Sequence, residues 1–498
     1  MRAIFLCVNC LPGKSRIFGF LTNLRSVLLL PLASFLFLAC SSKIEPPKVT
    51  SQSLPAKYFA AALHASQGEC SFESLDAWWK LFNDPVLSAL IEKSLVENLD
   101  VQKALARFKQ AGYRVDLQSA DFFPQLGLNA SSDRAQSNFR AFRNTSTVYE
   151  FSLPASYEID LWGRVANAAQ AGEQEREAAY QDLRSVAMSV AAEVAEQYFL
   201  LSEICEQLSL LDRTISSDSN FYNTLEDRYK FGVASALEVY QAKQTYSTSL
   251  ARRPILVEQL ARTQHSLKAL LGEYPSSETL QCENRILPRQ KPELPISVPS
   301  ALLVQRPDIV SAFSRVASAD SRVAEAVADR FPAIRIGATG GYSADKTDLL
   351  FRSQTEIWRA FANLTLTLLD GGRKAARVEL QKAVLEERVA DYRNAAIKAF
   401  KEVEDAMVAL SMREKEIVLL EDKVEAVGNS YRASANEYLQ GVEDYVPVLL
   451  SQVSLYTAQR ELLTSRRLLL SSFIQLARAL GGGWQESELE KLLGNEKS

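Results

Sequence analysis

Histidine is almost absent: the chain has two, His64 and His265, in 498 residues. Acid–base and metal chemistry near neutral pH lean heavily on imidazole, and neither histidine has a neighbouring nucleophile or ligand set. His265 reads as an ordinary helix residue and His64 as part of a polar tail. Zinc spacings, phosphate loops and dinucleotide fingerprints are missing too, and Gly481-Gly482-Gly483 is a helix stop rather than a cradle. An enzyme is therefore not expected, and no residue is assigned a catalytic, cofactor or metal role. Basic excess is also lacking: the net charge is −4, which argues against a nucleic-acid partner. Beyond Cys40 no apolar run reaches the ~18 residues of a conventional membrane helix. That absence leaves a transmembrane β-barrel open, because its strands carry a far weaker signal.

What the N-terminus does contain is informative. Lys14, Arg16 and Arg25 precede an apolar run from Val27 to Ala39, and Cys40 follows. A basic region before a short apolar core reads as a secretory signal, residues 1–39. A cysteine directly after Leu38-Ala39 resembles the bacterial lipoprotein cleavage box, although Phe37 stands where leucine is usual and the basic region is long. Cys40 is then the acylated first residue of the mature chain. An ordinary signal peptide with an incidental cysteine is the alternative. Ser41, in place of the aspartate that typically retains such proteins at the inner membrane, directs the anchor to the outer membrane, where two or more acyl chains hold stably. Cys7 and Cys10 leave with the signal. Cys205 lies on a helix seam and reads as a small core residue, while a Cys70–Cys282 disulfide stays open as an option.

The chain is organised around the stretch from Tyr149 to Phe231. Tyr149, Phe151, Leu153, Ala155, Tyr157 and Ile159 alternate with Glu150, Ser152, Pro154, Ser156, Glu158 and Asp160. Such alternation gives an extended chain one apolar and one polar face. After Asp160-Leu161-Trp162-Gly163-Arg164 the period changes. Leu183, Ala187, Val190, Val194, Tyr198, Leu201, Cys205 and Leu208 step by fours and threes, and no proline falls between Pro154 and Pro254. At ~1.5 Å per residue a helix from Arg164 to Phe231 is about 100 Å long.

The pattern occurs twice, about 209 residues apart. Asp121-Phe122-Phe123-Pro124 returns as Asp329-Arg330-Phe331-Pro332. Asp160 to Arg164 returns loosely as Asp370-Gly371-Gly372-Arg373, and Tyr229-Lys230-Phe231-Gly232-Val233 as Tyr438-Leu439-Gln440-Gly441-Val442. Each half reads as helix, strand, strand, long helix, turn, long helix. In the first, Trp78, Trp79, Phe82 and Leu87 open a compact segment, and a helix is expected from about Val86 to Ala120. A strand follows through Leu126, Leu128 and Ala130. A Ser/Asn/Arg-rich loop from Ser131 to Ser146 leads to the second strand, and a return helix runs from about Ser235 to Leu271, kinked at Pro254. In the second half, a helix from about Pro307 to Arg330 precedes a strand through Ile334, Ile336, Ala338, Gly340 and Tyr342. The next strand runs through Trp358, Ala360, Ala362, Leu364, Leu366 and Leu368, and helices span about Arg373 to Tyr438 and Val446 to Leu480. Leu385, Val389, Tyr392, Ala396, Phe400, Val403, Met407 and Leu410 repeat the seam. Its mean spacing predicts nearly straight helices. The boundaries are a tail over 40–85, a first repeat over 86–272, a Pro-rich linker over 273–305, a second repeat over 306–484 and a tail over 485–498.

Four amphipathic strands long enough to cross a bilayer cannot close a barrel alone, since about eight is the minimum and open edges in lipid are costly. Membrane-embedded strands therefore require several copies of the chain. A small soluble β-layer covered by helices is the alternative.

Glu158-Ile159-Asp160-Leu161-Trp162-Gly163-Arg164, Gln305-Arg306-Pro307-Asp308-Ile309, Phe331-Pro332, Leu369 to Arg373, Gly441 to Leu449 with Gln452, and Leu476 to Trp484 together resemble the outer-membrane efflux (TolC-like) channel family. Within it they resemble the lipoprotein branch of NodT-type factors that serves resistance-nodulation-division pumps. The resemblance implies a mostly α fold with a transmembrane β-barrel. A homotrimer would close twelve strands, four from each chain, above an α-barrel of twelve helical strands in the periplasm, with 40–85, 273–305 and 485–498 in a belt around its middle. It implies a passive exit duct for drugs, toxic compounds or metal ions, partnered by outer-membrane lipid, a periplasmic adaptor (membrane fusion) protein and an inner-membrane pump. The duct of a type I protein secretion system, and a non-conducting lipid-anchored coiled-coil tether, are the rival readings.

Within that resemblance the tips at Phe231, Gly232, Val233, Gly441 and Val442 are the adaptor contacts, and Leu439, Glu443 and Asp444 are the periplasmic gate. A ring of carboxylates there selects cations. Glu443 and Asp444 are equally what the start of a helix favours. Gly163, Gly371 and Gly372 serve the strand-to-helix switches, where the chain needs glycine's φ/ψ range. Arg164 and Arg373 pair there with lipid phosphate or with Asp160 and Asp370.

Overall fold

The computed structural model describes residues 77–139, 142–275, 282, 286–289, 291–292 and 306–482. The signal segment, Cys40, His64, Cys70, Trp484, the 485–498 tail and most of the linker lie outside the described residues.

After a buried turn at Trp78–Phe82 come α1 (Pro85–Glu97) and α2 (Leu99–Ser119). The single helix expected over Val86–Ala120 is thus two. Asn98 ends one and starts the other: its side chain accepts from the Asp100 and Val101 amides and donates to the Leu270 carbonyl at 2.8 Å. Ile91, Leu95 and Leu99 keep a four-residue apolar spacing across the joint, although Leu99 is exposed, so periodicity alone cannot show the break. Next are β1 (Gln125–Leu126), β2 (Asn129–Phe139), β3 (Phe142–Ile159), α3 (Arg164–Lys230) and α4 (Ala236–Leu270), which runs through Pro254 as one element. The second repeat supplies α5 (Pro307–Ala328), β4 (Ala333–Ala344), β5 (Glu356–Thr365), α6 (Arg373–Leu439) and α7 (Tyr445–Ala479).

Both α3 and α6 have 67 residues, close to 100 Å at ~1.5 Å each. Beside α3 lie α2 and α4, joined end to end through Asn98 and Leu270. The second repeat builds the same joint with different chemistry. Arg306, at the start of α5, donates to the Ala479 carbonyl ending α7 at 3.1 Å, and to Asp308 and Glu402 at 2.7 Å each. Arg306 is buried, while both carboxylates are more than two-fifths exposed, so water screens each pair. Each chain thus supplies four helical columns: α3, α6 and two stacked pairs. Seam residues Leu183, Ala187, Val194, Leu201, Val403 and Met407 are buried in a core that also takes Trp78, Phe199 and Phe473. Each such Leu, Val, Phe or Met side chain contributes roughly 1.5–3 kcal/mol.

The strands form one antiparallel sheet in the order β1/β2, β3, β4, β5. The stretch from Ser131 to Ser146, expected as a loop, is largely a hairpin ladder between β2 and β3, with Ser131 opposite Glu150 and Thr145 opposite Gln136. Its polar residues lie on both faces, so it lacks the alternation that marks a half-buried strand. β1 and β2 are one strand interrupted where Gly127 donates to the Pro154 carbonyl, since Pro154 has no N–H to return. Leu366 and Leu368, expected in the last strand, lie beyond its end at Thr365. The register sorts the faces. Ile159, Ile334 and Leu364 share one row; Ala155, Ala338 and Ala360 another; Leu153, Gly340 and Trp358 a third. The opposite face carries Glu158 beside Arg335 at 3.1 Å, with Asn363 beyond. The apolar face is uncovered: Trp358 is 81% and Leu126 73% exposed.

At the strand-to-helix switches Gly163 (φ 75°) and Gly372 (φ 86°) are N-caps in left-handed backbone. Asp160 accepts from the Ala166 amide, and Asp370 from the Gly372 and Lys374 amides, at 2.8 to 2.9 Å. Asp160 gives one oxygen to the Ala166 amide, and Arg164 bonds Glu158, at 3.0 and 2.8 Å. Arg373 has no side-chain partner among the described residues. Trp162 stacks on Phe331 at 4.8 Å and donates to the Pro332 carbonyl at 2.8 Å, so the two halves are pinned together.

The cysteine reading is corrected. Cys205 is bonded to Cys282, with Cα atoms 5.3 Å apart across 77 residues of chain, so it is neither a free core thiol nor leaves Cys282 for Cys70. A seam position on α3 faces the segment after α4 as well as the core. Nearby, Glu206 accepts from the Leu287 amide and Lys291 pairs with Glu414 on α6. Cys205→Ala is expected to lower the oxidised protein's unfolding midpoint by the equivalent of about 2–4 kcal/mol. Reductant should abolish the difference in thermal melts followed by circular dichroism. Equal melts without reductant would count against the bond.

Candidate functional site

The turns α3–α4 and α6–α7 have the same closure. In the first, the Val233 amide donates to Arg228 and the Gly232 amide to Tyr229, at 2.8 and 2.9 Å. In the second, Val442 donates to Glu437 and Gly441 to Tyr438, both at 3.0 Å. Gly232 and Gly441 have φ near 72° and 74°, as a helix end of this type requires. The closure leaves Phe231, Val233, Leu439 and Val442 exposed. All the residues expected at the tips come together there, with Leu439, Glu443 and Asp444 beside them. The switch residues Asp160, Gly163, Arg164, Asp370, Gly371, Gly372 and Arg373 stand at the opposite ends of the long helices.

The helices leaving the two turns start differently. Ser235 caps α4 in a reciprocal box with Glu238, which satisfies two amides at once. Asp444 occupies the same place before α7, and its side chain accepts no capping bond. Glu443 and Asp444 are both exposed and have no ion-pair or hydrogen-bond partner among the described residues. The second tip therefore presents two uncommitted carboxylates.

Three long contacts tie one hairpin to the other. Tyr438 Oη donates to Glu238 at 3.4 Å, Arg228 donates to the Leu439 carbonyl at 3.5 Å, and its guanidinium lies 5.3 Å from the Tyr438 ring centroid. Both hydrogen bonds are at the long limit of their kind, while the cation–π contact lies within the usual range. Above them Tyr445, Tyr438, Leu225 and Val448 form an apolar cluster, with Phe221 against Tyr445. Above that again, buried Asp218 on α3 accepts from Ser249 on α4 at 2.6 Å and from Gln452 on α7 at 2.5 Å. Contacts between the hairpins thus strengthen away from the tip. Arg228, Glu238, Tyr438 and Asp218 are not legible as a site in the sequence. The one available signal is the repeat itself, which places Glu437, Pro447 and Val427 at the positions equivalent to Arg228, Glu238 and Asp218.

Burial pushes the Asp218 carboxyl above its ordinary value, opposed by Ser249, Arg252 and Gln452. Burial likewise pushes up the phenols of Tyr438 and Tyr445. The native state therefore holds the Asp218 proton to higher pH than the unfolded chain does. Its stabilising contribution is complete below the unfolded-state value and is lost as pH rises through the native one. Asp218→Asn is expected to remove that dependence, raising the unfolding midpoint by a few degrees at neutral pH and leaving it unchanged in acid. Parallel melts at the two pH values test this, and a variant less stable at both would refute it.

Among the described residues no group of His, Cys, Asp or Glu could hold a metal ion, and no helix is long and apolar enough to cross a membrane. A family model described as outer membrane efflux protein matches residues 90–273 and 298–482. The chain is 30% identical over 474 residues to the pyoverdine export outer membrane protein OpmQ of Pseudomonas putida, covering 93% of this chain and 98% of that one. It is 28% identical over 420 residues to the toluene efflux pump outer membrane protein TtgF of Pseudomonas putida, covering 83% of this chain and 87% of that protein. Among solved structures, the outer-membrane channel OprN superposes with a TM-score of 0.82 at 28% identity, covering 87% of this chain and 97% of its own.

Proposed function

Because the chain belongs to the outer membrane efflux protein family, we propose that three copies form a passive exit duct across the periplasm and outer membrane. The chain is an outer-membrane efflux channel protein with a mostly helical fold of that family. One observation carries the trimeric reading: the sheet has two open edges, at β1/β2 and at β5, and one uncovered apolar face. In lipid such edges need partners, because an unpaired backbone group costs several kcal/mol there. Three sheets closed edge to edge supply them, with the Ile159–Ile334–Leu364 face toward lipid and the Glu158–Arg335 face toward the lumen. The helical columns beneath continue the wall, with α4 and α6 outermost in each chain and free to meet neighbours.

Cargo leaves unchanged, as drugs, toxic compounds or metal ions, driven by an inner-membrane resistance-nodulation-division pump. A periplasmic adaptor engages the exposed tips at Phe231, Val233 and Val442, with Gly232 and Gly441 shaping them. Leu439, Glu443 and Asp444 line the constriction. Opening breaks the weak Arg228, Tyr438 and Glu238 contacts and pivots on the Asp218 cluster above. Acylated Cys40 holds the chain to the outer membrane.

Native mass spectrometry of the protein extracted in mild detergent is expected to give trimers, and planar bilayers containing them stepwise currents. A stable monomer without currents overturns the reading.

A further inference from the structure

The geometry points to an oxyanion site beside the Cys205–Cys282 bond: a cavity of about 620 Å³ that takes a carboxylate or phosphate through three converging arginines. Arg213 comes from α3, Arg466 from α7 and Arg289 from the segment after Cys282, so three separate parts of the chain deliver positive charge to one space. Arg213 and Arg289 have no ion-pair or hydrogen-bond partner among the described residues. Arg466 gives one nitrogen to Glu421 at 2.8 Å, while its buried Nε has no acceptor among the described residues. The carboxylate in the lining, Glu206, already accepts from the Leu287 amide. Neighbouring arginines behave differently: Arg253 is paired with Asp212 and Arg467 with Glu203.

Guanidinium forks match carboxylate and phosphate oxygens, and pairing both partners charged makes the bond stronger than a neutral one. Leu462, Leu463, Val424 and Ile286 add apolar wall, and the volume lies in the range of small-molecule sites rather than of a single ion. A second cavity of about 240 Å³ continues along the same α3–α7 seam and shares Leu210, Arg213 and Gln459 with the first. The ligand is therefore an anionic head with room for an organic body. The disulfide ties Cys282, seven residues before Arg289, to α3 and so helps hold one wall of the site. None of this requires the duct to conduct.

The test is calorimetric titration of the full-length oxidised protein in detergent, with inorganic phosphate, with 4-phenylbutyrate and with the uncharged 4-phenylbutyramide. At least one anion is expected to bind and the amide not. Phosphate alone binding identifies a free inorganic-type ligand; the organic acid binding more tightly identifies one with an apolar body; both outcomes support the site. Arg213→Gln and Arg289→Gln, at exposed and unpaired positions where folding is not at stake, are each expected to weaken binding about tenfold or more. Arg253→Gln should leave it unchanged. Neither anion binding, the amide binding equally, or Arg253→Gln weakening binding as much as Arg289→Gln overturns the assignment.

Discussion

Gly341→Val is expected to cut trimer yield tenfold or more. A Cβ on Gly341 would lie 2.2 Å from the Phe151 carbonyl oxygen and 2.7 Å from Ser152 Cα. These are backbone atoms of the neighbouring strand, and they cannot swing aside as a side chain can. Either β3 and β4 separate or their ladder breaks, and in the proposed trimer both changes would widen the wall at a position repeated in every subunit. Overpacking of this kind costs roughly 1–3 kcal/mol per site. Three sites in one closed ring compound it, so trimer yield should fall tenfold or more, since ~1.4 kcal/mol is a factor of ten. The adjacent Gly340 is the control. It points to the other face, and a Cβ there would meet nothing within 4 Å, so Gly340→Val should assemble normally. Gel mobility of unheated outer-membrane extracts reads both. Normal trimers from Gly341→Val, or failure of both variants alike, would defeat the argument.

The contrast between these two glycines also shows what the sequence could and could not disclose. Alternation from Tyr149 to Ile159 announces a two-faced strand, and the seam from Leu183 to Leu208 announces a long helix, because in both cases one side must be apolar. That signal disappears where neither face is buried. Between Ser131 and Ser146 the hairpin is held by backbone ladder bonds among polar residues, so composition reads as loop. At Asn98 the opposite happens: the four-residue apolar spacing of Ile91, Leu95 and Leu99 continues through a real break, although Leu99 is left exposed. The pairing of Cys205 with Cys282 depends on how the chain after α4 crosses α3, and no local pattern records that crossing.

At the tips, the turn residues were legible because the same backbone closure occurs twice and needs glycine in the same place both times. The contacts between the hairpins were not, because the two repeats differ there. Arg228 on one side meets Tyr438 on the other; the repeat keeps the tyrosine, as Tyr229, but Arg228's counterpart Glu437 brings a carboxylate in place of a guanidinium. The duplication builds two similar hairpins, and the departures from it make them fasten to each other.

In the proposed duct those departures would also set the charge of the opening. Glu443 and Asp444 have no equivalent acidic pair in the first repeat, where Val442's counterpart Val233 is followed by Ala234 and Ser235. A trimer would gather both carboxylates from every chain around one axis, and a like-charged ring admits cations while repelling anions. Glu443→Ala combined with Asp444→Asn is expected to raise single-channel conductance and bring the cation-to-anion permeability ratio close to unity. Asparagine serves as well as aspartate at a helix start, so the pair removes charge without weakening α7. A purely structural role for Asp444 therefore predicts no change in this variant. The salt dependence gives a second check. Screening lengths fall from about 10 Å at 0.1 M to about 3 Å at 1 M, so the parent's selectivity should shrink in strong salt toward that of the variant. Reversal potentials across asymmetric potassium chloride measure both effects, and identical values for parent and variant at low salt would remove the carboxylates from the gate.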